Sequence, residues 1–244
     1  MIEEVSFESP LFIRPADAQL ARSLISASQA QPTIGQRMRI ISERFLGYPY
    51  IPKPLIGSPV KPEVFVSRMD GFDCVTYLET VLALASADSI EDFLRRLRNI
   101  RYEQGEISFW RRLHYMTEWS RYNIRRGLLI DLTTSEETLV RTARLYAVSG
   151  LDLRTSTYRY FSRRRLGLVS PWLRDGDLIF FITTRDGLDT FHSGMIVRRN
   201  EWVMMRHATH HRHAVVEQHL DEFFAITPAP GFIINRPAEK FNLS

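Results

Sequence analysis

The chain of 244 residues is 44% apolar and 25% charged, with a formal charge of +4 and one cysteine, Cys74. That length suits a single large domain with a sizeable core, and the near-average apolar content excludes disordered and collagen-like chains. One cysteine excludes an internal disulfide and a multi-cysteine zinc site, so the thiol is either a core side chain or a reagent.

The apolar runs are broken by charges well short of the ~20 residues a membrane helix needs, so no transmembrane segment is expected. The opening MIEEVSFESPLF has acidic residues where a secretory signal carries basic ones, so either export by that route is absent or the chain is a trimmed form. The mild positive balance suits an anionic polymer surface, and no zinc-finger spacing or aromatic RNA-binding motif supports a nucleic-acid partner.

In chain order, residues 15 to 30 space Leu20, Leu24 and Ile25 as a short amphipathic helix, and a second helix is expected from about Thr33 to Leu46, ending at Gly47. From Tyr48 to Pro62 the prolines at 49, 52, 54, 59 and 62 predict an extended loop. Residues 74 to 86 carry Val75, Leu78, Val81, Leu82 and Ala85 at helical spacing, preceded by capping chemistry at Asp70, Gly71 and Asp73. Cys74 therefore falls in the first turn of a core helix. From Glu91 to Gly127 the pattern stays helical, and the arginines there and at 163 to 165 read as solvated faces. The last third changes period, with strands expected at 178 to 183, 190 to 197, 202 to 207 and 214 to 217. Helices first and an antiparallel meander second define an α+β layout.

A thiol at a helix N-terminus feels the positive end of the helix dipole, which is expected to lower its pKa and favour the nucleophilic thiolate. Such a nucleophile needs a base, normally histidine, oriented by a third polar group. If Arg199 and Asn200 form the turn between the strands at 190 to 198 and 201 to 208, paired residue numbers sum to 399 and His192 faces His207. Directly opposed residues lie ~5 Å apart at Cβ on one side of the sheet, so one imidazole can act as base and the other as its orienter. The run HATHHRH at 207 to 213 also gathers imidazoles, but no carboxylate or His-Glu-x-x-His pattern accompanies it, so His210, His211 and His213 read as an exposed loop.

Four segments carry a family resemblance: LGYPYI (46 to 51), DGFDCVTYLET (70 to 80), LRDGDLIFF (173 to 181), and FHSGMIV (191 to 197) with RHAT (206 to 209). In this order they resemble the NlpC-type papain-like cell-wall cysteine hydrolases, and more closely their N-acetylmuramoyl-L-alanine amidase-like branch, over roughly residues 36 to 236. The resemblance implies a papain-like α+β fold with N-terminal helices, a nucleophile helix packed on an antiparallel sheet and a helical insertion. One domain would span 1 to 244, its core about 36 to 90 and 171 to 236, with the insertion about 91 to 170. It implies Cys74 as nucleophile, His192 as base and His207 as third polar residue, with Tyr50 and Asp73 beside the substrate. The separation of 118 residues between Cys74 and His192 (192 minus 74) exceeds that of simple NlpC-type domains. The insertion is therefore expected to shape the substrate groove, with His114, Trp119 and Asn123 as candidates to face it.

The implied activity is hydrolysis of a stem-peptide amide in peptidoglycan, foremost the N-acetylmuramoyl-L-alanine bond, in the periplasm or cell envelope, with no metal or cofactor. The alternatives are a γ-D-glutamyl endopeptidase on the same polymer, a non-catalytic envelope- or metal-binding module, and an acyltransferase or thioesterase acting on small acyl donors.

Overall fold

The computed structural model describes residues 11–239. The opening segment examined for an export signal lies, up to Pro10, outside the described residues. In chain order the elements are β1 (Leu11–Phe12), α1 (Pro15–Ser28), α2 (Ile34–Arg44), β2 (Ile56–Ser58), β3 (Lys61–Val66), α3 (Cys74–Ser86), α4 (Ile90–Arg101), α5 (Met116–Arg125), β4 (Leu129–Asp131), β5 (Leu139–Leu145), β6 (Arg154–Ser162), α6 (Leu166–Val169), β7 (Leu178–Ile182), β8 (Thr190–Arg199), β9 (Trp202–Thr209), β10 (Ala214–His219), α7 (Leu220–Ile226) and β11 (Gly231–Pro237). An eight-stranded antiparallel sheet runs β10-β9-β8-β7-β11-β6-β5, with β4 added alongside β11, and a three-stranded sheet runs β1-β3-β2. This is a mixed α+β fold.

The middle of the large sheet is buried on both faces, and this is why the sequence of β7 is apolar throughout. Leu178, Phe180 and Ile182 join the core shared with α1 to α5, while Ile179 and Phe181 join a second core with α6 and α7. A strand covered on both faces reads as a continuous apolar run because successive side chains point to opposite sides. Helix α3 is buried from Thr76 to Ser86 and packs against α1, α2, α4, β8 and β9. It is enclosed all round rather than along one stripe.

Two sequence expectations need correction. The segment 91 to 170 is not a helical insertion: it holds α4 and α5, then β4 and the β5–β6 hairpin that extends the large sheet. Its LVRTARL and RTSTYRYFS stretches are rich in Thr, Val, Tyr and Phe alternating with arginine, which suits a half-exposed pleated surface better than a helix. The FWRRLH stretch is likewise a loop before α5. The β8–β9 register also differs, with Arg199 opposite Trp202 and Met195 opposite Arg206, so paired numbers sum to 401. The turn is Asn200–Glu201 because Asn200 takes φ 55°, a left-handed conformation that asparagine tolerates and arginine disfavours. A shift of two keeps every side chain on its expected face, since the strand period is two.

Candidate active site

Asp73 builds the head of α3. Its Oδ1 accepts from the Val75 and Thr76 backbone N–H groups at 3.1 and 2.8 Å and from Thr76 Oγ1 at 2.8 Å, while Thr76 Oγ1 accepts from the Asp73 N–H, a complete capping box. Of the first three helix amides, Asp73 engages those of Val75 and Thr76 and leaves that of Cys74. The loop before the helix lies against the chain at 49 to 51. Phe72 donates its N–H to Pro49 O at 3.0 Å and Ile51 donates to Phe72 O at 2.9 Å. Gly71 permits this approach, because a Cβ there would lie 2.7 Å from Pro49 O and 2.6 Å from Ile51 Cδ1. Tyr50 is thereby held beside Cys74 and Asp73: burial, then the charges of those two groups, push its phenol pKa up.

The histidines are delivered by neighbouring strands. His192 Nε2 and His207 Nδ1 lie 2.5 Å apart, and His207 Nε2 lies 3.0 Å from Gln218 Oε1. A neutral imidazole has one donor and one acceptor nitrogen. The Gln218 carbonyl accepts, so His207 carries its proton on Nε2 and offers Nδ1 as acceptor; His192 must then donate from Nε2, which leaves its Nδ1 with a free lone pair. Phe223 of α7 covers both rings, 5.4 Å from His192 and 5.5 Å from His207, and Phe181 lies 6.3 Å from His192. The start of β8 is fixed by buried Asp189, which accepts from the Thr117 N–H and Oγ1 at 2.7 Å each and from the Thr190 N–H at 2.7 Å. One residue after His192, Ser193 donates from Oγ to the Cys74 carbonyl at 3.3 Å. That bond ties the histidine strand to the first residue of α3.

The electrostatics are those of a neutral pair. Burial first, and then the Asp73 carboxylate, push the Cys74 thiol up to about 12. Burial, with smaller effects of His207 and His211, lowers His192 to about 3. Burial also lowers His207 to about 4, opposed by its hydrogen bond to Gln218. The expectation of a thiol acidified by the helix terminus is thus reversed: desolvation of the charged form outweighs the dipole at this position. Each of these shifts favours the neutral form of its group, thiol or imidazole.

The remaining sequence candidates are placed elsewhere. His114 packs edge-on against Phe109 at 4.6 Å, with its Nε2 2.7 Å from the Phe109 carbonyl, and burial lowers its pKa to about 4. Trp119 Nε1 donates to Glu79 at 3.2 Å and the Asn123 amide to the Ile100 carbonyl at 3.2 Å, so both serve packing under α3 and α4. Glu79 itself is buried against Arg101 at 2.7 Å. His210 lies edge-on to Tyr50 at 5.7 Å and 5.4 Å from His213, in the turn between β9 and β10. Among the described residues no group of three or more His, Cys, Asp or Glu side chains could hold a metal ion, and no helix is long and apolar enough to cross a membrane. Gln218 was missed by sequence reasoning. The available signal was its alternation: Val216 pairs with His207, so a polar side chain two residues on lies on the same face.

An α+β protein with a buried imidazole relay tied to a capped helix bearing a single thiol has the chemical parts of a nucleophilic hydrolase. Residues 40–231 match the N-acetylmuramoyl-L-alanine amidase-like family, and the chain belongs to it. Two crystal structures share the fold. Protein LPG0564 from Legionella pneumophila aligns over 93% of this chain and 98% of its own, with TM-score 0.80 and 24% identity. An N-acetylmuramoyl-L-alanine amidase from Bacteroides uniformis aligns over 84% of this chain and 99% of its own, with TM-score 0.76 and 24% identity. No curated protein matches the chain.

Proposed function

We propose that this member of the amidase-like family is a papain-like cysteine hydrolase of peptidoglycan that cleaves the N-acetylmuramoyl-L-alanine bond. The observation that carries the reading is the His192–His207–Gln218 relay, half-buried at His192 and buried beyond it, on strands that Ser193 anchors to Cys74. The family's description supports the choice of bond.

In this reading His192 Nδ1 takes the Cys74 proton as the sulfur attacks the scissile carbonyl. Because burial favours the neutral thiol, proton transfer and S–C bond formation proceed together. The developing oxyanion is met by the Cys74 N–H, the helix amide that Asp73 leaves open. Collapse breaks the C–N bond, and the imidazolium returns its proton to the departing L-alanine nitrogen. Water, deprotonated by His192, then hydrolyses the thioester and restores the thiol. His207 holds the His192 tautomer throughout, and Tyr50 and the second Asp73 oxygen border the substrate. Such a substrate places the working enzyme in the periplasm or cell envelope.

Digestion of purified sacculi with product masses tests the bond. The expected products are intact stem peptides with a free L-alanine amino terminus; cleavage after γ-D-glutamyl would assign the endopeptidase reaction instead, and full hydrolysis by Cys74→Ala would remove the cysteine mechanism.

A further inference from the structure

Away from the catalytic corner, a cavity of about 500 Å³ opens between α5 and the β5–β6 hairpin, and Arg121, Arg125, Arg159 and Asp131 line it. Neither Cys74, His192, His207 nor Gln218 borders it. That volume is in the range of pockets that hold small ligands, roughly 300–1,000 Å³.

The positive charges there are not neutralised within the fold. Arg121 and Arg125 stand one turn apart on α5, a like-charge spacing that destabilises a helix. Among the described residues, none of the three arginines forms an ion pair, and Asp131 accepts through Oδ1 from the Thr133 N–H at 2.8 Å. Two guanidiniums are nevertheless oriented. Arg121 Nη2 donates to Ser156 Oγ at 3.2 Å and to Thr157 O at 3.0 Å, and Arg159 Nη1 donates to Thr138 Oγ1 at 3.0 Å. Each keeps its other N–H groups for a ligand, in the planar fork that suits a carboxylate. Ile124 and Val140 add an apolar wall.

We propose that this cavity binds an acidic peptide. Carboxylates pair with Arg121, Arg125 and Arg159, an ammonium or amide N–H reaches Asp131, and small apolar side chains lie on Ile124 and Val140. Peptidoglycan stem peptides have this mixture of groups, so the ligand is a second stem peptide of the polymer. That choice of source rests on the function proposed above; the preference for carboxylates rests on the cavity alone. Holding a second peptide raises the effective concentration of the polymer at the catalytic corner and favours it over single muropeptides.

The test uses the full chain carrying Cys74→Ala, titrated calorimetrically with a free-acid stem tetrapeptide, the same peptide with its carboxylates amidated, and inorganic phosphate. The free-acid peptide is expected to bind at least tenfold more tightly than the amidated one and to weaken as salt rises. Adding Arg125→Gln with Arg159→Gln, both exposed positions, is expected to cost at least tenfold in that affinity. In the active chain the same pair should raise KM on sacculi about tenfold and leave turnover of one soluble muropeptide unchanged. Equal binding of the acid and amidated peptides, binding of phosphate as tight as that of peptide, or unchanged affinity in the arginine variant would each overturn the proposal. If the hydrolase reading is wrong, sacculi remain intact with either protein while the peptide titration still reports on the cavity.

Discussion

At the candidate catalytic corner half-buried His192 and buried His207 and Gln218 are joined to one another, with Phe223 closing over the rings. In the cavity beside α5, three arginines stay exposed, with no ion pair among the described residues. The first arrangement fixes geometry before any ligand arrives, because a neutral relay in a low-dielectric setting has one consistent set of donors and acceptors. The second leaves charge available, so its contribution appears only on binding and is screened by salt. Rigid, uncharged machinery and an open, charged surface thus occupy opposite roles in one sheet-based scaffold.

The contrast can be broken most severely at the corner. Cys74→Ala should reduce hydrolysis of sacculi by about 10³-fold or more while leaving the thermal transition close to wild type, and His192→Ala should be comparably damaging. His207→Ala is expected to cost less, about 10²-fold, because water can take over part of the orienting role. Gln218→Leu removes the acceptor that sets the His207 tautomer, and a loss of about tenfold in kcat with little change in KM is expected. Gln218→Glu should raise the pKa of His207 and add an acid limb to the rate profile, a change that a purely structural role for Gln218 would not produce.

The buried rings also predict a pH dependence of stability. The folded pKa values of His192 and His207, about 3 and about 4, lie below the ordinary value of 6.5. Between those limits the unfolded chain binds protons that the folded chain refuses. Their stabilising contribution is therefore complete above pH ~6.5 and declines as pH falls toward 4 and then 3, by on the order of 1–3 kcal/mol for each ring. Denaturant midpoints at pH 7 and pH 4.5 measure this, and His207→Gln should flatten the slope. The smallest expected effect lies within the corner: Ser193→Ala removes the bond to the Cys74 carbonyl and should cost about 1 kcal/mol of stability.

Much of this arrangement is legible in the sequence. The apolar period from Val75 to Ala85 matches α3, and the short apolar and mixed stretches between 178 and 217, separated by turn residues, match β7 to β10. The direct opposition of His192 and His207 did not hold, because Asn200, and not Arg199, begins the turn; the two rings still meet, as a diagonal contact, since an error of an even number of residues keeps both on one face. The sheet's central β11 went unread, as did the β5–β6 hairpin, whose arginine-rich alternation was taken for helix. The Cys74 pKa was inverted for a different reason. A helix terminus is local and visible in sequence, whereas burial of the thiol depends on the packing of the whole fold; the Ser193 hydrogen bonds pull the pKa down and do not outweigh it. Gln218 belongs to the same class, since its role depends on a diagonal contact across β9 and β10.

The most direct test of the central claim is the intact mass of the enzyme quenched in acid during turnover of an N-acetylmuramoyl-peptide substrate. The account predicts a mass increase equal to the muramoyl acyl group, mapped by proteolysis to Cys74 and absent in Cys74→Ala. Steady hydrolysis by Cys74→Ala at the wild-type rate, with no adduct on the wild-type thiol, would contradict it.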